Sequence, residues 1–183
     1  MKRYMTIIAL LALVTITLSF VAGCGNDNKT EAKKIMEEAD AIISQIEADM
    51  EELLANMSET FYNVSDMDSL TTAVDETKDA TAELSDKADE AAAEYEKIND
   101  LEGVEDYQEY ADLQIMSGDI FKDMLDTIDE FLDEMMEAVE SGAVDEETMT
   151  EIAESFQAEL TERGMLMDEA ETAAEELKED KNL

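Results

Sequence analysis

The chain has 183 residues, with 12 Lys and Arg against 50 Asp and Glu, and a formal net charge of -38. That balance excludes nucleic acid as a partner, because phosphate binding needs clusters of Lys and Arg and the sequence has none. His, Pro and Trp are absent and Cys24 is the single cysteine, which removes intrachain disulfides, imidazole metal sites and His-dependent nucleophile pairs together.

Residues 1–23 have the layout of an export signal. Lys2 and Arg3 form a short basic start, Tyr4 to Val21 is apolar or hydroxylic, and the small residues Ala22 and Gly23 precede Cys24. The run Leu18-Ser19-Phe20-Val21-Ala22-Gly23-Cys24 resembles a prokaryotic lipobox, the cleavage and acylation signal of lipoprotein precursors. The resemblance covers Met1–Cys24 and implies that Cys24 becomes the lipidated first residue of the mature protein. The localisation it implies is the extracytoplasmic face of the cell membrane, with the membrane as partner through acylated Cys24. An uncleaved transmembrane anchor is the alternative, since the apolar run is nearly long enough to span. Residues 24–29 are small and polar and read as a tether.

Residues 30–181 read as an all-α, antiparallel up-down-up-down four-helix bundle. Pro is absent, and Ala, Glu, Met and Leu favour long helices. Helix one is expected from Glu31 to Tyr62, with Asn28 or Thr30 as cap. Its seam is Met36, Ala39, Ile43, Ile46, Met50, Leu53 and Met57, widened by Ile35, Ile42, Leu54 and Phe61. Ser65 with Asp68 resembles a capping box for helix two, Asp66 to Ile98. That helix has a small-residue seam through Leu70, Val74, Thr77, Thr81, Leu84, Ala88, Ala91, Tyr95 and Ile98. Gly103 suits the left-handed turn that follows. Helix three, Val104 to Glu140, has its seam at Tyr107, Ala111, Gln114, Gly118, Phe121, Leu125, Ile128, Leu132, Met135 and Val139. Gly142 is a stop and Asp145 a cap for helix four, Glu146 to Lys178. Met149, Ile152, Phe156, Leu160, Met167, Ala170, Ala174 and Leu177 face inward there, interrupted at Arg163-Gly164. Each helix is expected to be about 50 Å long. Short connections make neighbours antiparallel. Tyr95, Tyr107 and Tyr110 then share the end nearest Cys24, and Phe61, Tyr62, Met67, Val144 and Met149 share the distal tip.

No catalytic, cofactor-binding or metal constellation is expected, and the reading is of a non-enzyme. A di-iron bundle needs Glu-x-x-His pairs, and the sequence shows no Gly-rich phosphate loop. Carboxylate pairs are so frequent that they carry no catalytic meaning. Helix three is the extreme, with fourteen acids and one Lys (Lys122) between Glu102 and Ser141. Asp119, Asp123, Asp126, Asp129, Glu130, Asp133, Glu134 and Glu137 form an outer stripe whose like charges repel at i,i+4. Weak, diffuse Ca²⁺ or Mg²⁺ association would relieve it, but no Asp-x-Asp-x-Asp-Gly loop suggests a tight site. Met135-Met136 and Met165-Leu166-Met167 raise copper(I), yet most Met lie on seams, as core filler does. Gly118 and Gly164 lie nearly level; with Gln114 and Arg163 they mark either a mid-bundle pocket or close packing with Arg163 reaching surface carboxylates.

The functional expectation is a lipid-anchored, strongly acidic bundle with a structural or protein-interaction role, its partner meeting the distal tip. The alternative is a sensor or carrier of a small molecule or cation, accessory to a transporter.

Overall fold

The computed structural model describes residues 26–62, 64–142 and 146–183. It is an all-α, up-down-up-down four-helix bundle of α1 (Asn26–Tyr62), α2 (Met67–Asn99), α3 (Glu105–Ser141) and α4 (Glu146–Lys181). Short turns reverse the chain between helices. The start of α1, the α2–α3 turn and the end of α4 therefore share one end, here the basal end. The α1–α2 and α3–α4 connections mark the apical end. No helix among the described residues is long and apolar enough to cross a membrane.

Several boundaries differ from expectation: α4 runs on to Lys181 rather than Lys178, α3 is shifted by one residue at each end, and two starts differ for a physical reason. α1 begins at Asn26 rather than Glu31, so residues 26–29, expected as tether, form its first turn. The Asn28 side-chain amide donates to the Glu102 carbonyl in the α2–α3 turn at 2.9 Å, a tertiary bond that extends the helix beyond its apolar stripe. The α2 cap lies one residue later than expected. Asp66 is the N-cap, its Oδ1 accepts from the Ser69 N–H at 2.9 Å, and the Ser69 hydroxyl accepts from the Asp66 N–H at 3.1 Å. Ser69 thus fills the role assigned to Asp68, its hydroxyl accepting from the Asp66 N–H and donating to the Asp66 carbonyl at 2.8 Å. The backbone-bonded Asp66 carboxyl is held below the usual carboxylate range, first by the Ser69 N–H and then by its hydroxyl. Gly103 and Gly142 adopt φ of +76° and +75°, and the Gly142 N–H closes α3 onto the Ala138 and Val139 carbonyls. Asn63, Val144 and Asp145 lie outside the described residues.

Burial follows the seams. α2 buries Val74, Thr77, Thr81, Leu84, Ala88, Ala91, Tyr95 and Ile98, and its small side chains let both neighbours approach. The core has a basal cluster, with Met36, Ala39, Tyr95, Ile98, Tyr110 and Ala174, and an apical one, with Ile46, Leu53, Leu84, Leu125, Ile128 and Leu132. Phe131 of α3 stacks on Phe156 of α4 at 4.3 Å between centroids. Leu54, expected on the widened α1 face, is instead 53% exposed.

The four helices are not equally embedded. Consecutive helices pack along their lengths, and α1 also approaches α3 across the bundle. Among the described residues, no Cα of α1 comes within 8 Å of one in α4. Among the described residues of α4, Ala170 and Ala174 are the buried hydrophobics, whereas Met165 and Leu166 are exposed. Its stripe is broken at Arg163-Gly164, so it leans on α3 and meets α1 through side chains at the basal end.

Candidate functional site

The most elaborate polar cluster lies at the basal end and takes a residue from every helix. Asp40 of α1 is its centre. The Tyr95 hydroxyl of α2 and the Tyr110 hydroxyl of α3 donate to Asp40 Oδ1 at 2.5 and 3.0 Å. Lys178 of α4 donates to Oδ2 at 2.6 Å. Gln114 Nε2 donates to the Tyr110 oxygen at 3.2 Å. The Tyr95 and Tyr110 rings meet edge to face, and the Lys178 ammonium lies 5.2 Å from the Tyr110 ring centre. Both phenol rings are buried, at 1% and 3% exposure. The Asp40 carboxylate is only half-buried, and these donors meet the lone pairs that the surrounding helices turn away from water. No buried side-chain N or O among the described residues lacks a partner.

The electrostatics make this cluster a clamp rather than an acid–base site. Burial, then the Asp40 carboxylate, pushes the Tyr95 phenol far above its ordinary value. Tyr110 shifts the same way, with burial first and Asp40 next. Burial pulls Lys178 down, but its bonds to Asp40 and Tyr110 more than offset this and leave it raised. Groups held this firmly in one protonation state are poor proton carriers at neutral pH.

The α2–α3 turn beside this cluster is also tied down. Gln108 Nε2 donates to the Asn99 and Leu101 carbonyls at 3.3 and 2.9 Å, satisfying groups left open at the end of α2. Tyr107 packs partly buried against the same core, so the three tyrosines share the basal end as expected.

Among the described residues, six of the scarce cations serve as cross-helix ties, while Lys34 and Lys97 pair within their own helices. Lys87 joins α2 to Asp49 of α1. Lys78–Asp133 and Lys122–Asp89 join α2 to α3 at 2.6 and 2.5 Å. Arg163–Asp123 and Lys181–Asp106, both at 2.9 Å, join α3 to α4. Lys178–Asp40 joins α4 to α1. The acidic stripe of α3 is therefore partly neutralised: Asp123 and Asp133 have ion pairs, and Asp129 accepts from the buried Thr81 hydroxyl at 2.7 Å. Among the described residues no group of three or more acidic or sulfur ligands is placed to hold a metal ion.

Gly118 and Gly164 do not line a shared polar layer. Gln114 turns to Tyr110 and Arg163 to Asp123. A Cβ built on either glycine meets nothing within 4 Å, so close packing does not explain them either. Met36 is buried, and Met50, Met57, Met135 and Met136 pack against the apical core, the gap-filling role expected of them.

A groove of about 400 Å³ runs between α1 and α2 toward the apical end. Leu53, Ala73, Ala80 and Leu84 form its floor, and Asp49, Glu52, Glu76 and Glu83 its rims. The sequence reading missed both this groove and Asp40. Asp40 carried a signal: it falls four residues after Met36 and three before Ile43, on the apolar face. Cys24 lies outside the described residues, as do the side chains of Phe61, Tyr62 and Met149 at the tip. Met67 there is 38% exposed. No family model, curated protein or solved structure matches the chain.

Proposed function

We propose that the chain is a lipid-anchored, extracytoplasmic and non-enzymatic acidic bundle with a structural or protein-interaction role. The observation that carries this reading is that Cys24 precedes the first residue of a fixed helix by two positions in the sequence. α1 begins at Asn26, and Asn28 is bonded to the α2–α3 turn. An acyl group on Cys24 would therefore hold the basal end against the bilayer with almost no slack. The bundle would project about 55 Å outward, at 1.5 Å per residue over α1. A two- or three-chain lipid cap anchors stably where a single chain holds only marginally. The apical tip, farthest from lipid, is then the surface offered to a protein partner.

Mass spectrometry of the membrane fraction tests the anchor. The expected product begins at an acylated Cys24; an intact 183-residue chain with unmodified Cys24 would overturn it. Crosslinking in intact cells tests the interaction role, and a specific protein joined at the apical tip is expected. A co-purifying small molecule with no crosslinked protein would favour the carrier reading instead.

A further inference from the structure

We propose that the seam between α1 and α4 is a docking groove for an amphipathic helix of a partner protein, apolar on one face and edged with Lys or Arg. This rests on the protein-interaction role given above and names the partner's chemistry. Packed helices have axes about 8–10 Å apart, which brings facing Cα atoms within about 6 Å. Among the described residues α1 and α4 have no Cα pair within 8 Å, so they lie further apart than a packed pair. Counting antiparallel from the Asp40–Lys178 pair places Glu47 level with Glu171 and Leu54 level with Gly164. Glu47 helps to raise the Glu171 carboxyl, in keeping with that register.

Beyond this clasp the seam is apolar and open. By helical angle, Met50 and Leu54 share the side of α1 that carries Asp40 and Glu47. Leu160, Gly164 and Met167 share the side of α4 that carries Glu171 and Lys178. Leu54 is 53% exposed, and Met50, Leu160 and Met167 are half-buried. A Cβ on Gly164 meets nothing within 4 Å. Between Glu147 and Glu169 no described side chain of α4 is buried.

Charge selects the occupant. Glu47 and Glu51 edge the seam on α1, and Asp168, Glu171 and Glu175 edge it on α4. None of the five is in an ion pair among the described residues. No cation reaches them: α1 has no Lys or Arg after Lys34, and Arg163 of α4 turns to Asp123 of α3. A second copy of this chain would add acidic edges of its own. A bilayer at the basal end is out of reach, because Leu54 lies about 42 Å along α1 from Asn26. A helix with basic residues beside its apolar stripe supplies both the missing wall and the counter-charges. The stretch from Glu47 to Met57 is about 15 Å long, so about three helical turns fill it.

The probe is a Leu/Lys peptide of about 14 residues, two heptads with leucine at a and d and lysine elsewhere. It is titrated by calorimetry, at fixed ionic strength, into the full-length chain held in zwitterionic nanodiscs, with empty nanodiscs as blank. One saturable site per chain is expected, with a gain of helix by circular dichroism. A scrambled peptide of the same composition should bind at least about tenfold more weakly. So should the native peptide with Leu54→Gln, or with Glu47→Gln and Glu171→Gln together; all three side chains are exposed, so the fold survives. The controls Met165→Gln, on the outer face of α4, and Asp126→Asn with Glu137→Gln, on α3, should stay within about twofold. No saturable binding, equal binding of the scrambled peptide, or equal weakening in variants and controls would overturn the docking site. So would a dimer of the chain alone, seen by sedimentation and abolished by Leu54→Gln, since it would give the seam to a second copy. Acylation of Cys24 and crosslinks at the apical tip are read separately, so losing the seam would leave those readings standing.

Discussion

Asp40 shows how one polar residue on an apolar stripe can organise a helix bundle. It sits beside the seam residue Ala39, on the flank of the apolar stripe, and three other helices supply its donors. The tyrosines keep their protons in the folded chain at pH values where the unfolded chain loses them. Their raised folded pKa values give a stabilising contribution that is complete below the ordinary tyrosine value of 10.0 and lost as pH climbs above it. Raised Lys178 acts in the same direction above 10.5. Tyr95→Phe should therefore cost about 1–2 kcal/mol at neutral pH, the worth of a charge-assisted hydrogen bond. It should also flatten the alkaline decline in melting temperature. An equally steep decline in the variant would remove Tyr95 as its source. Glu171 has the same sign of shift, but at acid pH. Burial, then Glu47, Asp168 and Glu175, raises its carboxyl against the lowering effect of Ser117. Its stabilising contribution is thus present below the ordinary value of 4.5 and lost as pH rises through the shifted one. Glu171→Gln should stabilise the protein at neutral pH by about 0.5 kcal/mol, small because the carboxylate remains well solvated. Thermal melts at neutral and acid pH should show that gain vanish once the native glutamate is protonated.

At the scale of elements, α2 and α4 mark the limits of what periodicity conveys. The α2 seam is unbroken, and from Val74 to Ile98 each seam residue is buried. The α4 stripe is interrupted, and the helix lies shallow with Met165 and Leu166 in solvent. Gly118 and Gly164 sharpen the contrast. Both sit inside helices with open space where a Cβ would go. Gly118→Ala and Gly164→Ala should each stabilise by about 0.5–1 kcal/mol through reduced freedom of the unfolded chain. Each should raise the melting temperature by about 1–4 °C. A loss in either variant would reveal a packing or ligand constraint at that glycine. The helix count, the bundle order and the seams were legible because apolar spacing is local information. The start of α1 was not, because Asn28 acts through Glu102, 74 residues away. Asp40 was missed for the same reason: its partners belong to three other helices. The groove escaped because it needs the lateral fit of α1 against α2, which periodicity does not encode.

The whole molecule balances local attraction against global repulsion. Among the described residues six cross-helix ion pairs tie the helices together, each worth about 0–1 kcal/mol at an exposed site. Against them stands the repulsion within a chain of net charge -38. Salt screens both, with a Debye length of about 10 Å at 0.1 M. With 50 acids against 12 bases, repulsive pairs outnumber attractive ones, and contacts near 3 Å are screened less than repulsion spread over longer distances. The melting temperature should therefore rise with NaCl. A fall would mean that the six ties outweigh the field. Replacing Na⁺ by Ca²⁺ at matched ionic strength separates screening from association. An anionic surface concentrates a divalent ion more steeply than a monovalent one, and the α3 stripe keeps Asp126, Glu130, Glu134 and Glu137 outside any described ion pair. A further rise in Ca²⁺, gradual and without a saturating step, is the expected signature of diffuse association. Curves that coincide for the two salts would reduce the cation effect to screening alone.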